Sequence, residues 1–327
     1  MTDAPVFTVF TPTYNRAHTI HRPFESLRAQ TFRDFEWIVI DDGSTDDTPE
    51  LIGGWATTAD FPIRYYRQDR SGRHIAHNLA VREARGSLFC SLDSDNAFLP
   101  STLERMLAAW NSVPEAERES FAGVSGLCCD QHGDLIGDRF PASPFDSSPR
   151  EIVYIHRIRG EKSGASRIKA LRQYPFPEIA GTQFIPEGLI GLQMSGAYKR
   201  RYVNEIFRVY YTNEVLGRGG NLSSRSNLAT TARGRLYYYV WLLNHELEHF
   251  ARLPVPFLKA ALMIPIVASM SGCSLRTVLG TIEPPAARML VLLALPFASV
   301  LRVFGAASGL ISGAKANTKE RDSTIPP

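Results

Sequence analysis

Cysteine is scarce in this chain. Cys90, Cys128, Cys129 and Cys273 are the four among 327 residues. They have neither metal-site spacing nor the density of a disulfide framework, which fits a reducing compartment. Excess charge is also missing: 36 Lys and Arg against 33 Asp and Glu leave a net +3, too little to imply a nucleic-acid partner. No basic, apolar leader and no internal repeat is expected. Long apolar runs are absent. The two longest uncharged runs near the carboxyl end, residues 260–275 and 289–301, are interrupted by Pro265 and Pro296 and fall short of the ~20 residues a spanning helix needs. The first strand-to-helix turn, Pro12-Thr13-Tyr14-Asn15-Arg16, holds no glycine, which disfavours the Gly-rich dinucleotide fingerprint. The run Gly217-Arg218-Gly219-Gly220 comes too late to supply it and reads as a flexible loop.

What is present is an alternation. Short apolar runs at residues 6–11, 35–40, 63–66 and 87–92 read as buried strands. Helices are predicted between them at residues 19–29, from a Thr48 cap with Pro49 in the first turn, and over residues 75–85 with Gly86 as a left-handed stop. Ser101 and Glu104 predict a capping box opening a further helix. Strands and helices at this spacing give βαβ units, hence an α/β fold with a mostly parallel sheet and helices on both faces. Beyond residue 120 the expected order is a strand at 121–129 with Leu135-Ile136-Gly137 returning beside it, and a loop at 141–150. A helix at 162–172, broken by Pro175 and Pro177, comes next, then a helix after Pro186-Glu187-Gly188. A strand at 207–211 and one long helix at 228–251 complete the order.

The stretch Asp93-Ser94-Asp95-Asn96 sits where a buried strand ends, the place where open α/β sheets bind ligands. Two carboxylates this close repel unless a cation lies between them, and a hard divalent ion such as Mg2+ or Mn2+ fits oxygen ligands. Alone, the same residues make an ordinary solvated turn. Arg16 and Arg73 offer bidentate contacts suited to a diphosphate.

Taken together, Thr11-Pro12-Thr13-Tyr14-Asn15-Arg16, Asp41-Asp42-Gly43-Ser44, Asn78-x-Ala80 with Ala84-x-Gly86, and Asp93-Ser94-Asp95-Asn96 resemble family 2 glycosyltransferases over about the first hundred residues. The resemblance implies a GT-A fold, a nucleotide-sugar donor (a UDP-sugar favoured), Mg2+ or Mn2+, and single displacement with inversion. The donor-binding set it implies is Pro12, Thr13, Tyr14, Arg16, Asp42, Arg73, Asn78, Asp93 and Ser94. Within that set Tyr14 offers a planar contact and Asp42 an acceptor for the base, while Asn78, like Gly86, is mostly structural. Asp95 is the implied inner-shell metal ligand, and Asp93 reaches the ribose or the metal. Asn96 is a departure, since many relatives carry a further Asp. A catalytic base is implied in an acidic motif opening a downstream helix. Glu187, in Phe184-Ile185-Pro186-Glu187-Gly188-Leu189, is the best match, Glu178 its rival, and Glu205 and Glu214 weaker candidates. Lys162 reads as a phosphate contact or a solvated helix start. No Gln-x-x-Arg-Trp motif occurs, which favours a non-processive enzyme adding one hexosyl unit.

Two other readings compete. His245-Glu246-Leu247-Glu248-His249 matches H-E-x-x-H, which on a helix would hold zinc with Glu246 as the base of a metallopeptidase, but no third ligand follows. A non-catalytic nucleotide-sugar-binding protein is the other. Six basic residues in the carboxyl-terminal region (Arg252, Lys259, Arg276, Arg288, Arg302 and Lys315) stand against Glu283 alone. A basic, apolar region too short to span reads as interfacial membrane association, with packing on the catalytic domain or on a second copy as the alternative. The expected organisation is a catalytic domain at residues 1–250, a helical membrane-associated region at 251–315 and a disordered tail at 316–327. A cytoplasmic location, peripheral on the inner membrane face, and a possible homo-oligomer are expected from this organisation, while the family resemblance implies a saccharide or lipid-linked saccharide acceptor in surface-polysaccharide synthesis.

Overall fold

A computed structural model describes residues 4–212 and 228–307, with the backbone alone over 302–307. The Gly217–Gly220 loop, Glu214, Lys315, the Arg302 side chain and the 316–327 tail therefore lie outside what is described. The chain divides into two compact units, residues 1–177 with 190–219, and residues 178–189 with 220–327.

The first unit opens with the expected alternation. It runs β1 Phe7–Thr13, α1 His21–Arg28, β2 Phe35–Asp41, α2 Thr48–Thr58, β3 Ile63–Arg67, α3 Arg73–Glu83 and β4 Leu88–Ser91. It continues through β5 Ala97–Phe98, α4 Thr102–Asn111, β6 Phe121–Cys129, β7 Phe145–Ser147, α5 Pro149–Tyr154, β8 Lys162–Arg167 and α6 Ile168–Leu171. Helix α7, Gly188–Met194, crosses from the second unit back to the first, and β9, Lys199–Val209, completes the sheet. The nine described strands form one sheet in the order β3-β2-β1-β4-β8-β6-β9-β5, and β7 pairs antiparallel with β9 at residues 200–202, on the side away from β6 that β5 shares farther along. Strands β3, β2, β1 and β4 are mutually parallel. Because β2 and β3 lie on one side of β1 and β4 on the other, the order reverses at β1, and the loops leaving β1 and β4 diverge around a crevice. Both faces of β2 are covered, so all seven of its residues are buried, and that is why an apolar run rather than an alternating one marks it. Trp37 is fully buried there, its indole N–H donating to Thr11 Oγ1 at 2.9 Å.

Several expectations fail in instructive ways. Residues 162–172 form strand β8 and a one-turn helix. Strand β8 inserts antiparallel between β4 and β6, and a Cβ on Gly164 would lie 2.1 Å from the Val124 carbonyl, so its small side chains serve close strand contact. Gly86 is no left-handed stop, because α3 already ends at Glu83. A Cβ at Gly86 would lie 2.5 Å from Thr8 N, so glycine is required by the approach of the chain to β1. Ser101 makes no side-chain cap, and Glu104 accepts instead from Thr31 Oγ1 at 2.7 Å. The capping box forms at α5, between Ser148 and Glu151. Thr48 is the first helical residue of α2 rather than its cap. Cys129 does bridge to Leu135, as the turn at 131–134 predicts.

The second unit is helical: α8 Leu228–His245, α9 Pro254–Met270, α10 Leu275–Thr281 and α11 Pro285–Ala307. Helix α9 packs against the other three and buries Phe257, Ala260, Ala261, Ile264 and Val267. The end of α8 is tied to the loop before α11 by Asn244, whose side chain donates to the Thr281 carbonyl at 2.9 Å and accepts from Glu283 N at 3.0 Å. The long helix expected to reach residue 251 stops at His245, and Leu247–His249 is a 3-10 turn.

Candidate active site

The loops after β1, β2, β3 and β4 meet at the carboxyl edge of the parallel strands. Pro12 and Thr13 end β1 beside Ile40 and Asp41, and the Thr13 carbonyl accepts from Asp42 N at 2.8 Å. Asn15 then turns the chain with φ of 51°, a conformation asparagine tolerates. Its amide N donates to Ser44 Oγ and its side-chain carbonyl accepts from Thr45 N, both at 2.8 Å. Arg16 N donates to Thr48 Oγ1 at 3.1 Å, and Ala17 N to Asp46 at 3.1 Å. Backbone stitches thus aim Tyr14 and Arg16, whose own side chains are partly exposed.

Two adjacent aspartates leave β2 with different work. Asp41 is fully buried and accepts from Ser44 N at 2.8 Å and Tyr65 OH at 2.7 Å, closing the turn. Asp42 organises the loop after β3, accepting from Gln68 Nε2 at 2.7 Å, Ser71 N at 2.8 Å and Gly72 N at 3.0 Å. Burial pushes the Asp42 carboxyl up, and these hydrogen bonds offset only part of that cost. In the same loop Arg70 lies over the Tyr14 ring, 3.4 Å from its centroid.

The Asp93–Asn96 turn follows β4. Asp93 is held by Arg73 Nη2 at 2.6 Å, Asn96 Nδ2 at 3.2 Å and Arg208 Nη1, on β9, at 3.5 Å. Burial opposes its ionisation, but Arg73 and Arg208 outweigh burial and keep the carboxyl below the usual range. Arg208 is itself buried and reaches Glu161 at 3.3 Å. Asp95 differs. Burial, and after it the charge of Asp93, raise its carboxyl, with Arg16 and Arg73 opposing. Its backbone carbonyl accepts from Arg22 Nη1 at 3.2 Å. One carboxylate is thus paired with two guanidiniums, and its neighbour's carboxyl is raised by burial and by that first charge. Oxygen donors in this state suit a hard divalent ion. The described residues hold no cluster of three His, Cys, Asp or Glu side chains, so such an ion would complete its shell with ligand oxygens and water.

Ser94 is buried inside the turn. Asn78 clamps the chain at Phe176, donating to its carbonyl and accepting from its N–H, both at 2.9 Å. Lys162 lies on a strand rather than a helix start, and donates to the carbonyls of Arg159, Gly160 and Glu161. Glu205 pairs with Arg105 at 2.6 Å. Glu187 stands immediately before α7, and Glu178 opens the same segment of the second unit. The H-E-x-x-H residues straddle the end of α8, so one α-helix does not carry both histidines. His245 ends it, stacked on Trp241 with Nδ1 2.9 Å from the Trp241 carbonyl, and Glu246 is fully buried. The helical register that a zinc motif requires is therefore not formed. Sequence pattern does not single out Arg22, Arg70 or Arg208. An arginine inside the apolar stretch Phe207-Arg208-Val209 was the available signal, but nothing local pairs it with Asp93.

The family model for glycosyl transferase family 2 matches residues 8–116, the segment that carries all these loops. The S. aureus TarS fragment solved with UDP-GlcNAc superposes with a TM-score of 0.56 at 16% identity, over 91% of this chain and 92% of that one. The Pyrobaculum calidifontis mannosyltransferase PcManGT, solved with GDP-Man and Mn2+, gives 0.54 at 19% identity, over 98% and 89%. The architecture is thus GT-A type, with a helical carboxyl-terminal part. Several bacterial relatives match at 36–39% identity over only about a third of this chain, which spans 15–16% of their length. The Bacillus subtilis putative teichuronic acid biosynthesis glycosyltransferase TuaG is 31% identical across 265 residues, 79% of this chain and 95% of that protein. A match that runs nearly end to end through TuaG, on a sheet whose carboxyl edge gathers these loops, means that this chain belongs to glycosyl transferase family 2.

Proposed function

We propose that the chain is a non-processive, metal-dependent inverting glycosyltransferase. It moves one sugar from a nucleotide-sugar donor, a UDP-sugar by preference, to a saccharide or lipid-linked saccharide during surface-polysaccharide synthesis. The observation that carries this reading is the divided aspartate pair at the carboxyl edge of the sheet, with Asp93 paired to Arg73 and Arg208 and the Asp95 carboxyl raised by burial and by the charge of Asp93. TuaG supports the polysaccharide context by its name, TarS and PcManGT support a nucleotide-sugar donor, and PcManGT supports a divalent ion.

In this reading Tyr14 and Asp42 meet the base and ribose, with Pro12 and Thr13 forming the floor, and Arg16 and Arg73 address the diphosphate. Asp95, with Asp93 beside it, holds Mg2+ or Mn2+, which when bound supplies charge neutralisation to the leaving diphosphate. Glu187 takes the proton of the acceptor hydroxyl as it attacks the face opposite the leaving group. The work is done in the cytoplasm at the inner membrane face.

The test is a donor-hydrolysis and transfer screen of the purified full chain over several nucleotide sugars. It is paired with calorimetry of nucleotide binding with and without Mn2+. Asp95→Asn is expected to lower transfer by on the order of 100-fold or more and to remove the Mn2+ enhancement of binding, with the fold intact. Undiminished transfer in Asp95→Asn or in excess EDTA would end the metal reading. Nucleotide binding without turnover of any donor would turn the protein into a binding module.

A further inference from the structure

Helix α11 is built inside out. Its buried side carries the small residues Ala287, Val291 and Ala298. Its outward side carries the large ones: Met289, Leu292, Leu293, Phe297, Val300 and Leu301 are all exposed, Phe297 to 68%, Leu293 to 66% and Met289 to 62%. Their spacing follows the helical period, so they form one continuous stripe. A helix whose outer face met only water would place its large apolar side chains inward and its polar ones outward. Scattered exposed leucines need no explanation, but an unbroken stripe marks a surface that something apolar covers.

Charge indicates what covers it. From residue 252 to residue 301 the charged side chains are Arg252, Lys259, Arg276 and Arg288 against Glu283 alone, and Lys259 and Arg276 are exposed. A two-fold contact between copies would bring together two units that each carry this positive excess. An anionic surface complements them. The stripe rises roughly 18 Å from residue 289 to residue 301 at ~1.5 Å per residue, well under a hydrocarbon core of ~30 Å. No described helix is long and apolar enough to cross a membrane.

We propose that α11 lies flat in the interface of an anionic lipid membrane, inserting the stripe Met289–Leu293–Phe297–Val300 among the acyl chains while the basic residues of its unit meet lipid phosphates. This deepens the membrane-face part of the proposed function by naming the face and the lipid chemistry. Vesicle partition reads no sugar transfer, so its failure would leave the transferase reading standing.

The experiment is sedimentation of the full chain with vesicles of phosphatidylglycerol and phosphatidylcholine, and with phosphatidylcholine alone. The wild type is expected to pellet with the anionic vesicles and to be released as salt rises. Leu293→Asp with Phe297→Asp should lower the partition coefficient roughly tenfold or more, with unchanged far-ultraviolet circular dichroism, since both side chains are already exposed. Lys259→Gln with Arg276→Gln should remove the preference for anionic lipid. Equal partition onto the neutral vesicle would overturn the anionic assignment. A wild type that stays in the supernatant with both vesicles would overturn the whole, as would a stable dimer in light scattering that the double aspartate variant splits.

Discussion

At the scale of single residues, Asp93 and Asp95 are two positions apart and chemically opposite, and the difference comes from their partners. Arg73 at 2.6 Å and Arg208 at 3.5 Å hold Asp93 ionised, while Asp95 sits in the field of Asp93 with its own carboxylate less compensated. Arg208 is the residue on which this division turns, because it is buried and couples β9 to the turn after β4. Arg208→Gln is expected to cost about 1–3 kcal/mol in chemical denaturation, since it removes a buried cation from a carboxylate that keeps Arg73. Arg208→Lys should recover part of that loss, and an unchanged midpoint in Arg208→Gln would show that the ion pair contributes nothing. The aspartates were legible from their position after an apolar run. Arg208 was not, because its partner lies on another strand that tertiary pairing alone brings near.

At the scale of elements, local capping chemistry proved less portable than strand periodicity. The Ser101/Glu104 pattern does not cap, because Glu104 is drawn to Thr31, while Ser148/Glu151 forms both reciprocal bonds under Pro149. Ser148→Ala is expected to destabilise by about 1 kcal/mol, measured by denaturant unfolding. The pH dependence follows from Glu151, whose carboxyl is lowered from its usual 4.5, first by the Ser148 backbone N–H and then by the Ser147 hydroxyl. A lowered acid stabilises the folded chain at pH above its unfolded value, and that contribution is lost as pH falls through the folded value. Glu151→Gln should therefore be less stable than wild type at neutral pH, with the gap closing below about pH 4.5 in urea melts. A gap that widened toward acid would refute this sign. The run at residues 162–167 forms strand β8 where a helix is expected, because a short run with Lys, Ser and Ala says little by itself. Its conformation is set by the two strands on either side.

At the scale of the whole molecule, the proposed base stands in one compact unit and the divided aspartate pair in the other. The base proposal is tested by comparing two glutamates of the same segment. Glu187→Gln should lower the transfer rate roughly 100- to 10,000-fold with donor binding nearly unchanged, and Glu178→Gln should not. The reverse pattern would move the base to Glu178. Much of the first unit was determined by sequence alone: four short apolar runs with helices between them admit few arrangements besides a parallel sheet, and acidic and polar residues just after such runs must emerge at its carboxyl edge. What the tertiary structure decided is everything that depends on a partner distant in the chain. That includes the insertion of β8, the end of α8 at His245, the requirement for glycine at residue 86, and the placing of Arg208 against Asp93. The physical reason is that periodicity and turn chemistry act within about ten residues, whereas strand pairing, burial and buried charge are settled by whatever the rest of the chain brings alongside.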